Sequence, residues 1–380
     1  MDCNGVFVFA PKKKLKLLTF FWAMMTTCFA FPLESPWTHF GLRPLGMGNA
    51  FVAVADDYNA LFYNPAGLAR LTDWSGELIN PGVDVSKNTI AFAKQVRSLQ
   101  GSSSQNLSNV LTVYKEESGK SNHASFFLTP YFVAPNWGMG LGLTLGADFV
   151  LHSNVNIDFR GGTDIILPIA VAGSFVNKKL SLGVATKLVS FDGINDNLSI
   201  ETLSAVASKG SKATETLQEL VRTGVGVGVD VGLLFTPVPT MRPTLGMSVL
   251  DVGGTTYRLL KISSLQTSPP KNRPPAVNMG VSLMPIEGEY GYVLFAADVD
   301  CVNRPTHYSQ KLNLGMEIGL GSILKLQTGL MAGYATGGIQ IDLKLLKIRF
   351  ATYAVDRGPV VGLDKDLVDR RYVIQVNLLI

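Results

Sequence analysis

Cysteine is scarce in this chain of 380 residues, which contains Cys3, Cys28 and Cys301. The first two fall in the N-terminal leader described below, so Cys301 alone remains. A single cysteine excludes an intramolecular disulfide and a cysteine-rich zinc site. Charge is scarce as well. Charged residues make up 16% of the chain, against about 25% in average proteins, and no basic face for nucleic acid is indicated.

Long apolar runs are nearly absent. A membrane-spanning helix needs about 20 mostly apolar residues, and the longest such run covers only residues 17–31. Hydrophobic residues nevertheless make up 47% of the chain, and the mean hydropathy is +0.23. The excess is therefore distributed over many short segments, which either a large soluble core or a transmembrane β-barrel can hold.

Residues 1–30 are predicted to be a secretory signal peptide. Four lysines between positions 12 and 16 form its basic part, residues 17–29 form its apolar part, and small residues near Ala30 suit cleavage. An uncleaved membrane anchor is the alternative, for which the run is short. A lipoprotein cleaved at Cys28 is a further alternative with a poor lipobox. Without this leader the chain holds 29 basic and 28 acidic residues.

Short segments of the remaining chain alternate large apolar residues with small or polar ones, which is the period of a β-strand. In residues 224–233, valine and leucine occupy one face, while four glycines and Asp230 occupy the other. Residues 311–320, 339–344 and 371–380 repeat the pattern. These segments predict strands with one apolar face and one face of small or polar residues.

The strands of a soluble β-sandwich alternate in the same way, so the residues on the small and polar face have to distinguish a sandwich from a membrane barrel. A solvated strand face typically carries Lys, Glu, Thr and Ser, and glycine there weakens the strand. Inside a barrel, glycine leaves room for a plug, water or ligand, while branched side chains face lipid. We therefore predict an all-β fold: a transmembrane antiparallel β-barrel of about 14 strands in the outer membrane, with a short N-terminal plug (hatch).

Fifteen segments have the pattern of barrel strands, each near the 9–11 residues that cross an outer membrane. Because bacterial single-chain barrels use even strand numbers, one is surplus, and the first two are the weakest. The candidates are 75–83, 88–96, 124–134, 138–150, 164–176, 179–191, 224–235, 243–250, 276–285, 291–299, 309–320, 322–333, 336–344, 345–356 and 370–380.

The chain is thus divided into the signal peptide, a plug at residues 31–73 and a barrel at residues 74–380. Long loops are predicted near residues 97–122, 193–223 and 254–275, which are rich in polar residues or proline and lack the alternation. The second loop is predicted to be partly helical. The strand number has to be settled before these loops can be assigned to one side of the membrane.

Residues 41–71 differ from the strands, because they are rich in glycine and alanine and contain the pair Asp56-Asp57 and the motif Asn64-Pro65-Ala66. An Asn-Pro step favours a turn, since proline disfavours the helical region for the preceding residue. Small residues permit close packing in a confined space. We predict a compact plug inside the barrel, with both aspartates bonded to polar residues of the wall.

The same segment resembles the N-terminal hatch of FadL-like long-chain fatty-acid transporters and of the related PorV-like proteins of the type IX secretion system. The hatch has a Gly-x-Gly stretch, then Ala-Asp-Asp, then Asn-Pro-Ala. The matching positions are Gly46 and Gly48, Ala55-Asp56-Asp57, and Asn64-Pro65-Ala66. Residues 296–298, 312–317 and 370–372 are also similar to this superfamily, so the resemblance covers about half of the chain, at its two ends.

The resemblance implies passive uptake of hydrophobic small molecules such as long-chain fatty acids, through an apolar interior pocket, past the hatch and out through a lateral gap at a kinked strand. Gly161-Gly162 and Pro168 are candidates for the kink, although turns explain the glycines equally well. The ligand-binding or gating residues that the resemblance implies are Gly46, Gly48, Asp56, Asp57, Asn64, Pro65 and Ala66.

The alternative is a non-transport scaffold, similar to the PorV-like proteins, in which the hatch only stabilises the barrel. Expected partners are a hydrophobic ligand and outer-membrane lipid, with no nucleic acid, cofactor or metal. An enzyme is not indicated, because His39, His123, His152 and His307 are far apart in the sequence. His123 and Ser125 share a strand face, but a hydrolase needs a third group to polarise such a pair.

Overall fold

The computed structural model describes residues 41–100, 107–152, 156–199, 201–202, 219–259, 269–343, 345–356 and 368–378. The predicted signal peptide, residues 1–30, and the first ten residues of the predicted plug domain lie outside these ranges. Most of the loop predicted to be partly helical lies outside them too, at residues 203–218.

Strand segments of the described residues form one antiparallel sheet. Their bounds are β1 Ser75–Glu77, β2 Pro81–Ser86, β3 Ser121–Leu128, β4 Tyr131–Ala134, β5 Trp137–Gly140, β6 Gly142–Leu151, β7 Ile157–Phe175, β8 Leu180–Leu198, β9 Val221–Phe235, β10 Thr244–Leu250, β11 Arg258–Leu259, β12 Ala276–Gly288, β13 Gly291–Val299, β14 Leu312–Leu320, β15 Leu324–Met331, β16 Tyr334–Leu343, β17 Leu346–Asp356 and β18 Val368–Leu378.

Some consecutive segments are parts of one wall strand: β1 with β2, β3 with β4, β5 with β6, and β10 with β11. The described residues therefore build fourteen wall strands. The circle closes where β18 pairs with β2, with Arg371 opposite Ser86 and Gln375 opposite Gly82. Closure pairs the first and last strands of the described sheet, as a barrel in the hydrocarbon region requires. The predicted all-β, antiparallel barrel of about 14 strands is confirmed.

Apolar positions of the wall strands face outward, and small or polar positions face the lumen. Val227 is 62% exposed, while Asp230 on the same strand is 2% exposed. On β18, Ile374 is 48% exposed and its neighbour Gln375 is fully buried. The predicted orientation of both strands is therefore correct. Among the described residues, no helix combines the length and apolar content that a membrane crossing requires.

The helices lie before the wall or in its connections. Their bounds are α1 Leu42–Gly46, α2 Ala60–Tyr63, α3 Lys87–Gln100 and α4 Leu107–Glu117, with 3-10 helices at Pro65–Arg70 and Tyr308–Gln310. The strand predicted at residues 88–96 is wrong, since these residues belong to α3. The side chain of Ser86 accepts the backbone N–H of Thr89 at 3.0 Å, which is an N-cap bond that favours the start of a helix.

The predicted loops correspond only in part to the observed connections. Residues 97–122 contain the end of α3, all of α4 and the start of β3, and residues 254–275 contain the short β11. The loop predicted at 193–223 is too long, because Ile194 still pairs with Val221. Ladder hydrogen bonds continue there into a polar stretch without apolar alternation, so the sequence pattern ends before the strand does.

Connections at the two ends of the barrel differ in length. One end has short turns, such as residues 135–136 and 289–290, and the other has the connections at 87–120, 199–220, 251–275 and 300–311. All three predicted long loops lie at this second end. Outer-membrane barrels have short periplasmic turns and longer extracellular loops, so the long connections mark the extracellular end.

Candidate functional site

Arg43 is the centre of an ion-pair cluster that joins the plug, residues 41–71, to the wall; Arg43 and Glu317 are buried in it, and Asp56 and Asp57 are partly exposed. Its Nε and Nη2 donate to Glu317 of β14 at 2.8 and 2.7 Å, and its Nη1 donates to Asp56 at 2.5 Å and to Asp57 at 2.9 Å. Glu317 is fully buried and also accepts the hydroxyl of Tyr292 at 2.6 Å. Because a buried charge is costly unless it is paired, the cluster fixes α1 against the wall.

The prediction that Asp56 and Asp57 bond to the wall is wrong. Their partners lie in the plug: both accept from Arg43, and Asp57 also accepts the backbone and side-chain nitrogens of Asn59 at 2.8 Å. The reason is that Arg43 lies between the aspartates and Glu317, so it carries the connection to the wall. Arg43 is not among the predicted residues, although a lone carboxylate on the glycine-rich face of β14 was a signal for a buried cation.

Gly46 and Gly48 lie against the wall at β15 and β16. The hydroxyl of Thr336 donates to the carbonyl of Gly46 at 3.0 Å, and the N–H of Gly48 donates back to that hydroxyl at 2.9 Å. A Cβ on Gly46 would come within 3.0 Å of Gly338 Cα. Gly48 has a φ of +64°, and a Cβ there would overlap the carbonyl oxygen of Leu314. Glycine is therefore required at both positions by close backbone approach.

The Asn64-Pro65-Ala66 motif forms the predicted turn and joins it to the wall. Asn64 Oδ1 accepts the N–H of Ala66 at 3.2 Å and caps the 3-10 helix. Its Nδ2 donates to the carbonyl of Val52 at 2.8 Å within the plug and to that of Leu233 on β9 at 3.2 Å. Pro65 takes the first helical position, where its missing N–H has no partner to lose.

Glycines of the wall receive the plug. A Cβ on Gly183 would overlap the backbone of Pro65, and a Cβ on Gly246 would lie 2.7 Å from the Cα of Ala53. The wall glycines at which a Cβ would overlap plug atoms are Gly183, Gly232, Gly246, Gly315 and Gly329. The glycine-rich faces of the sequence therefore leave room for the plug.

Two acidic residues at the extracellular end of β13 hold the middle of the plug. Asp298 Oδ2 accepts the backbone N–H groups of Phe51 and Val52 at 2.5 and 2.7 Å. Asp300 accepts from the side chain of Asn49 at 3.3 Å, and burial raises the pKa of Asp300 to about 7. Neither carboxylate is among the predicted site residues. The plug is thus bound to the wall through its backbone as well as its side chains.

Beside the plug, towards the extracellular end, the lumen contains a partly open cavity of about 100 Å³. Phe127 and Tyr353 line it and also pack with Leu42 and Leu45 of α1 in one apolar cluster. The ionisable side chains of the lining are Asp84, His123, Asp148, Arg160, Asp164 and Arg371. This cavity is therefore lined by charged groups, and it is not the apolar pocket that the resemblance implies. Drug-sized ligands occupy about 300–1,000 Å³, so this space fits a small molecule or a head group.

His123 lies in the middle of the charged lining. Its Nδ1 is 2.8 Å from Asp148, and its Nε2 is 3.2 Å from Ser125 and 3.5 Å from Asp84. Asp148 is brought there by strand pairing, because it lies opposite His123 on β6, and the sequence spacing alone does not show it. A serine hydrolase needs a ring nitrogen free to take the serine proton. Asp148 supplies the third group that the sequence does not show, but Asp84 lies 3.5 Å from the same nitrogen as Ser125 and competes with it.

The first three wall strands are interrupted at one height, which we call the seam. It consists of residues 78–80 between β1 and β2, residues 129–130 between β3 and β4, and Leu141 between β5 and β6. Pro130 lacks the N–H that a ladder bond requires. The side chain of Asn80 replaces lost backbone pairing by exchanging two hydrogen bonds of 2.7 Å with the backbone of Thr129.

The seam lies between the plug and the outer surface. Tyr58 of the plug stacks on Tyr131 at 4.1 Å, and on the outer side Leu78 and Ile79 are 74% and 49% exposed. Gly161-Gly162, one of the predicted kink candidates, pairs without a break with both β6 and β8. Pro168, the other candidate, pairs with Lys187 of β8, but its other edge borders the seam, because the pairing of β7 stops at Ile166 with Gly142 and resumes at Ile169 with Met139. The seam, which Pro168 borders, is therefore a better candidate for a lateral opening than Gly161-Gly162.

These observations define the class as an outer-membrane β-barrel with a plug inside its lumen. More particularly, the fold is FadL-like. The chain is similar to the CymD monoaromatic hydrocarbon channel, with a TM-score of 0.51 and 14% identity over 90% of this chain and 98% of that chain. It is also similar to the Pseudomonas putida toluene transporter TodX, with a TM-score of 0.50 and 15% identity over 90% and 97%.

No family model and no curated protein matches the chain. At such identities the likeness to solved structures concerns the fold alone. The predicted FadL-like outer-membrane barrel is confirmed at that level. The structures compared are described as channels and transporters.

Proposed function

We propose that this barrel is a passive channel that takes hydrophobic small molecules across the outer membrane, and that it does no catalysis. The seam carries the proposal. It interrupts three adjacent wall strands beside the plug, and apolar side chains surround its outer side. A hydrophobic molecule gains free energy by leaving water, so a lateral exit into the bilayer is favourable for it.

The proposed route leads from the extracellular cavity, along the plug, to the seam. The plug residues implied by the resemblance would act by keeping this route closed: Gly46, Gly48, Asp56, Asp57, Asn64, Pro65 and Ala66. Their bonds to Arg43 and to the wall hold the lumen filled, so a ligand has to loosen them to pass. The names of the solved structures, a toluene transporter and a monoaromatic hydrocarbon channel, support a hydrophobic ligand. Long-chain fatty acids are the other ligand class that we propose to test.

One observation favours the second candidate function, an outer-membrane scaffold. The plug is bound by a buried ion pair at Glu317, by two backbone bonds to Asp298, and by close contact with wall glycines at which a Cβ would overlap plug atoms. A plug that never moves would serve stability alone. Transport and scaffold therefore differ in one measurable property, which is whether loosening the plug changes flux.

The test uses vesicles with a lipopolysaccharide outer leaflet, which limits direct entry of hydrophobic molecules, and radiolabelled toluene and a radiolabelled long-chain fatty acid as probes. Asn64→Ala and a deletion of residues 46–66 should leave a folded barrel and raise the flux of at least one probe. Asn197→Ala, in which the replaced side chain bonds to an exposed aspartate, is the matched control and should behave as wild type. If flux in every variant equals that of protein-free vesicles, the scaffold function takes the place of transport.

A further inference from the structure

Two carboxylates that line the cavity each carry a buried oxygen without a hydrogen-bond partner among the described residues. Asp84 accepts the hydroxyl of Tyr353 at 2.6 Å through Oδ2, but its Oδ1 has no partner. Asp164 accepts from Arg160 at 3.2 Å through Oδ2, and its Oδ1 has none either. An unsatisfied buried acceptor costs about 1–3 kcal/mol. The cavity is therefore short of hydrogen-bond donors.

Charge in the lining is nearly balanced, since three carboxylates face two guanidinium groups and one imidazole. Each of these cations already contacts a carboxylate: Arg160 contacts Asp164, and Arg371 and His123 both contact Asp148. A ligand carboxylate would approach three carboxylates whose cations are engaged, and a ligand ammonium would approach two guanidinium groups. Burying either charge is costly, so a neutral donor is favoured.

The rest of the lining suits a small ring. Phe127 and Phe191 supply apolar surface, and the guanidinium of Arg160 lies over the ring of Phe191 at 5.7 Å. Gly146 and Gly162 line the cavity without side chains, which leaves a lumen face open between the aromatic groups and the two carboxylates. A molecule with one ring and one hydrogen-bond donor would place its ring against the phenylalanines and its donor against one of the two carboxylates.

We propose that the cavity binds a neutral hydrophobic molecule that carries a hydroxyl group, with that hydroxyl donating to Asp84 or Asp164. This proposal rests on the channel function and narrows its substrate class from hydrophobic molecules in general to phenols and alcohols of about one ring. Selection then takes place on the extracellular side of the plug. Desolvating a single hydroxyl is compensated by the acceptor it meets, whereas a hydrocarbon leaves both acceptors unsatisfied.

The experiment compares three probes that share one ring and one methyl group: toluene, 4-methylphenol and 4-methylbenzoate. Their binding to the purified full-length barrel in detergent is measured at pH 7 by titration with saturation-transfer NMR. We expect 4-methylphenol to bind about tenfold more tightly than the other two, which is about the effect of one hydrogen bond made instead of left unmade. Tightest binding of 4-methylbenzoate, or equal affinity for all three, would overturn the proposal.

Variants locate the acceptor. Asp164→Ala should weaken 4-methylphenol binding by about three- to tenfold and leave toluene binding unchanged. Asp158→Ala on the same strand, whose side chain is 54% exposed, is the matched control and should change neither. If Asp164→Ala does not fold, the ranking of the three probes on the wild-type barrel still decides.

Failure of this proposal is distinguishable from failure of the channel. Equal binding of the three probes with protein-dependent toluene flux overturns the hydroxyl site and leaves the channel standing. Selective binding of 4-methylphenol without flux of any probe supports the site and overturns the channel.

Discussion

The plug-filled part of the lumen and the cavity beside it are two regions of one barrel that treat polar groups differently. Around the plug, Arg43 meets three carboxylates, and Asp298 accepts two backbone N–H groups. Around the cavity, Asp84 and Asp164 accept from Tyr353 and Arg160, which belong to the wall. Glycine lines both regions, so glycine alone does not distinguish a filled lumen from an open one. The difference teaches that the source of the donors distinguishes them, since the plug supplies donors to Glu317 and Asp298, whereas the wall supplies them to Asp84 and Asp164.

The largest effect should come from Arg43→Met, which leaves Glu317, Asp56 and Asp57 together without their cation. Removing one partner of a buried ion pair costs about 3–5 kcal/mol. Arg242→Met is the control, because Arg242 and Glu287 form an exposed pair on the same protein, worth about 0–1 kcal/mol. Urea unfolding in lipid bilayers, followed by tryptophan fluorescence, gives both free energies. Equal losses would show that the plug is not held by this cluster.

Next in size is the comparison of the lumen with the lipid face. Val229→Arg should lower the free energy of unfolding in bilayers by about 2–4 kcal/mol if the residue lies near the midplane. Asp230→Asn should cost less, because Lys187 keeps a second carboxylate, Asp251, at 3.1 Å. Folding yields into vesicles measure both. A larger loss for Asp230→Asn than for Val229→Arg would mean that Val229 faces the lumen and Asp230 faces the lipid, which contradicts the orientation of β9.

Gly183→Val tests the plug-receiving glycines. Its new side chain would overlap the backbone of Pro65, and overpacking of this kind costs about 1–3 kcal/mol. Gly173→Val on the neighbouring strand is the control, since the nearest atom to its Cβ would be 3.5 Å away in Phe175. Heat-modifiable gel mobility and urea midpoints report the loss. Two variants of equal stability would mean that the plug does not press on β8.

The smallest expected effect comes from a direct comparison of one carboxylate at the plug with one at the cavity. Asp298→Asn should destabilise the barrel by about 1 kcal/mol, because the amide is a weaker acceptor for two backbone N–H groups. In Asp164→Asn, the replaced carboxylate accepts one bond of 3.2 Å from Arg160 of its own strand and none from the plug backbone, so the free energy of unfolding should change less. Matched urea titrations of the two variants test this. A larger loss at Asp164 would indicate that the cavity region, too, uses its polar groups for stability.

Much of the wall is predictable from the sequence, because lipid imposes a strict alternation on the strands that cross it. Residues 224–233 show this most clearly, and their predicted faces are the observed ones. The alternation ends where the wall rises beyond the hydrocarbon, so the pattern predicts β8 and β9 shorter than they are. The short apolar pattern of α3 suits a strand as well as a helix, and the N-cap bond of Ser86 distinguishes the two.

The site is less predictable, because its contacts join residues far apart in sequence. The position of the plug follows from its small residues and its resemblance to a hatch, yet the partner of its aspartates does not. Arg43 and Glu317 are separated by 274 residues, and no local pattern connects them. The network at His123 depends on strand register, since a slip of one residue would turn Asp148 towards lipid.

Closure of the wall between β18 and β2 has a consequence for assembly in time. The plug precedes the first wall strand, and its bonds to Glu317, Asp298 and Leu233 connect positions 169 to 274 residues apart. Contacts of such long sequence separation form late and slow the folding of a chain. The N-terminal segment can therefore complete these bonds only after β14, the strand of Glu317, has formed. Once β18 has paired with β2, the plug is enclosed by the wall, and its release requires this pairing to open.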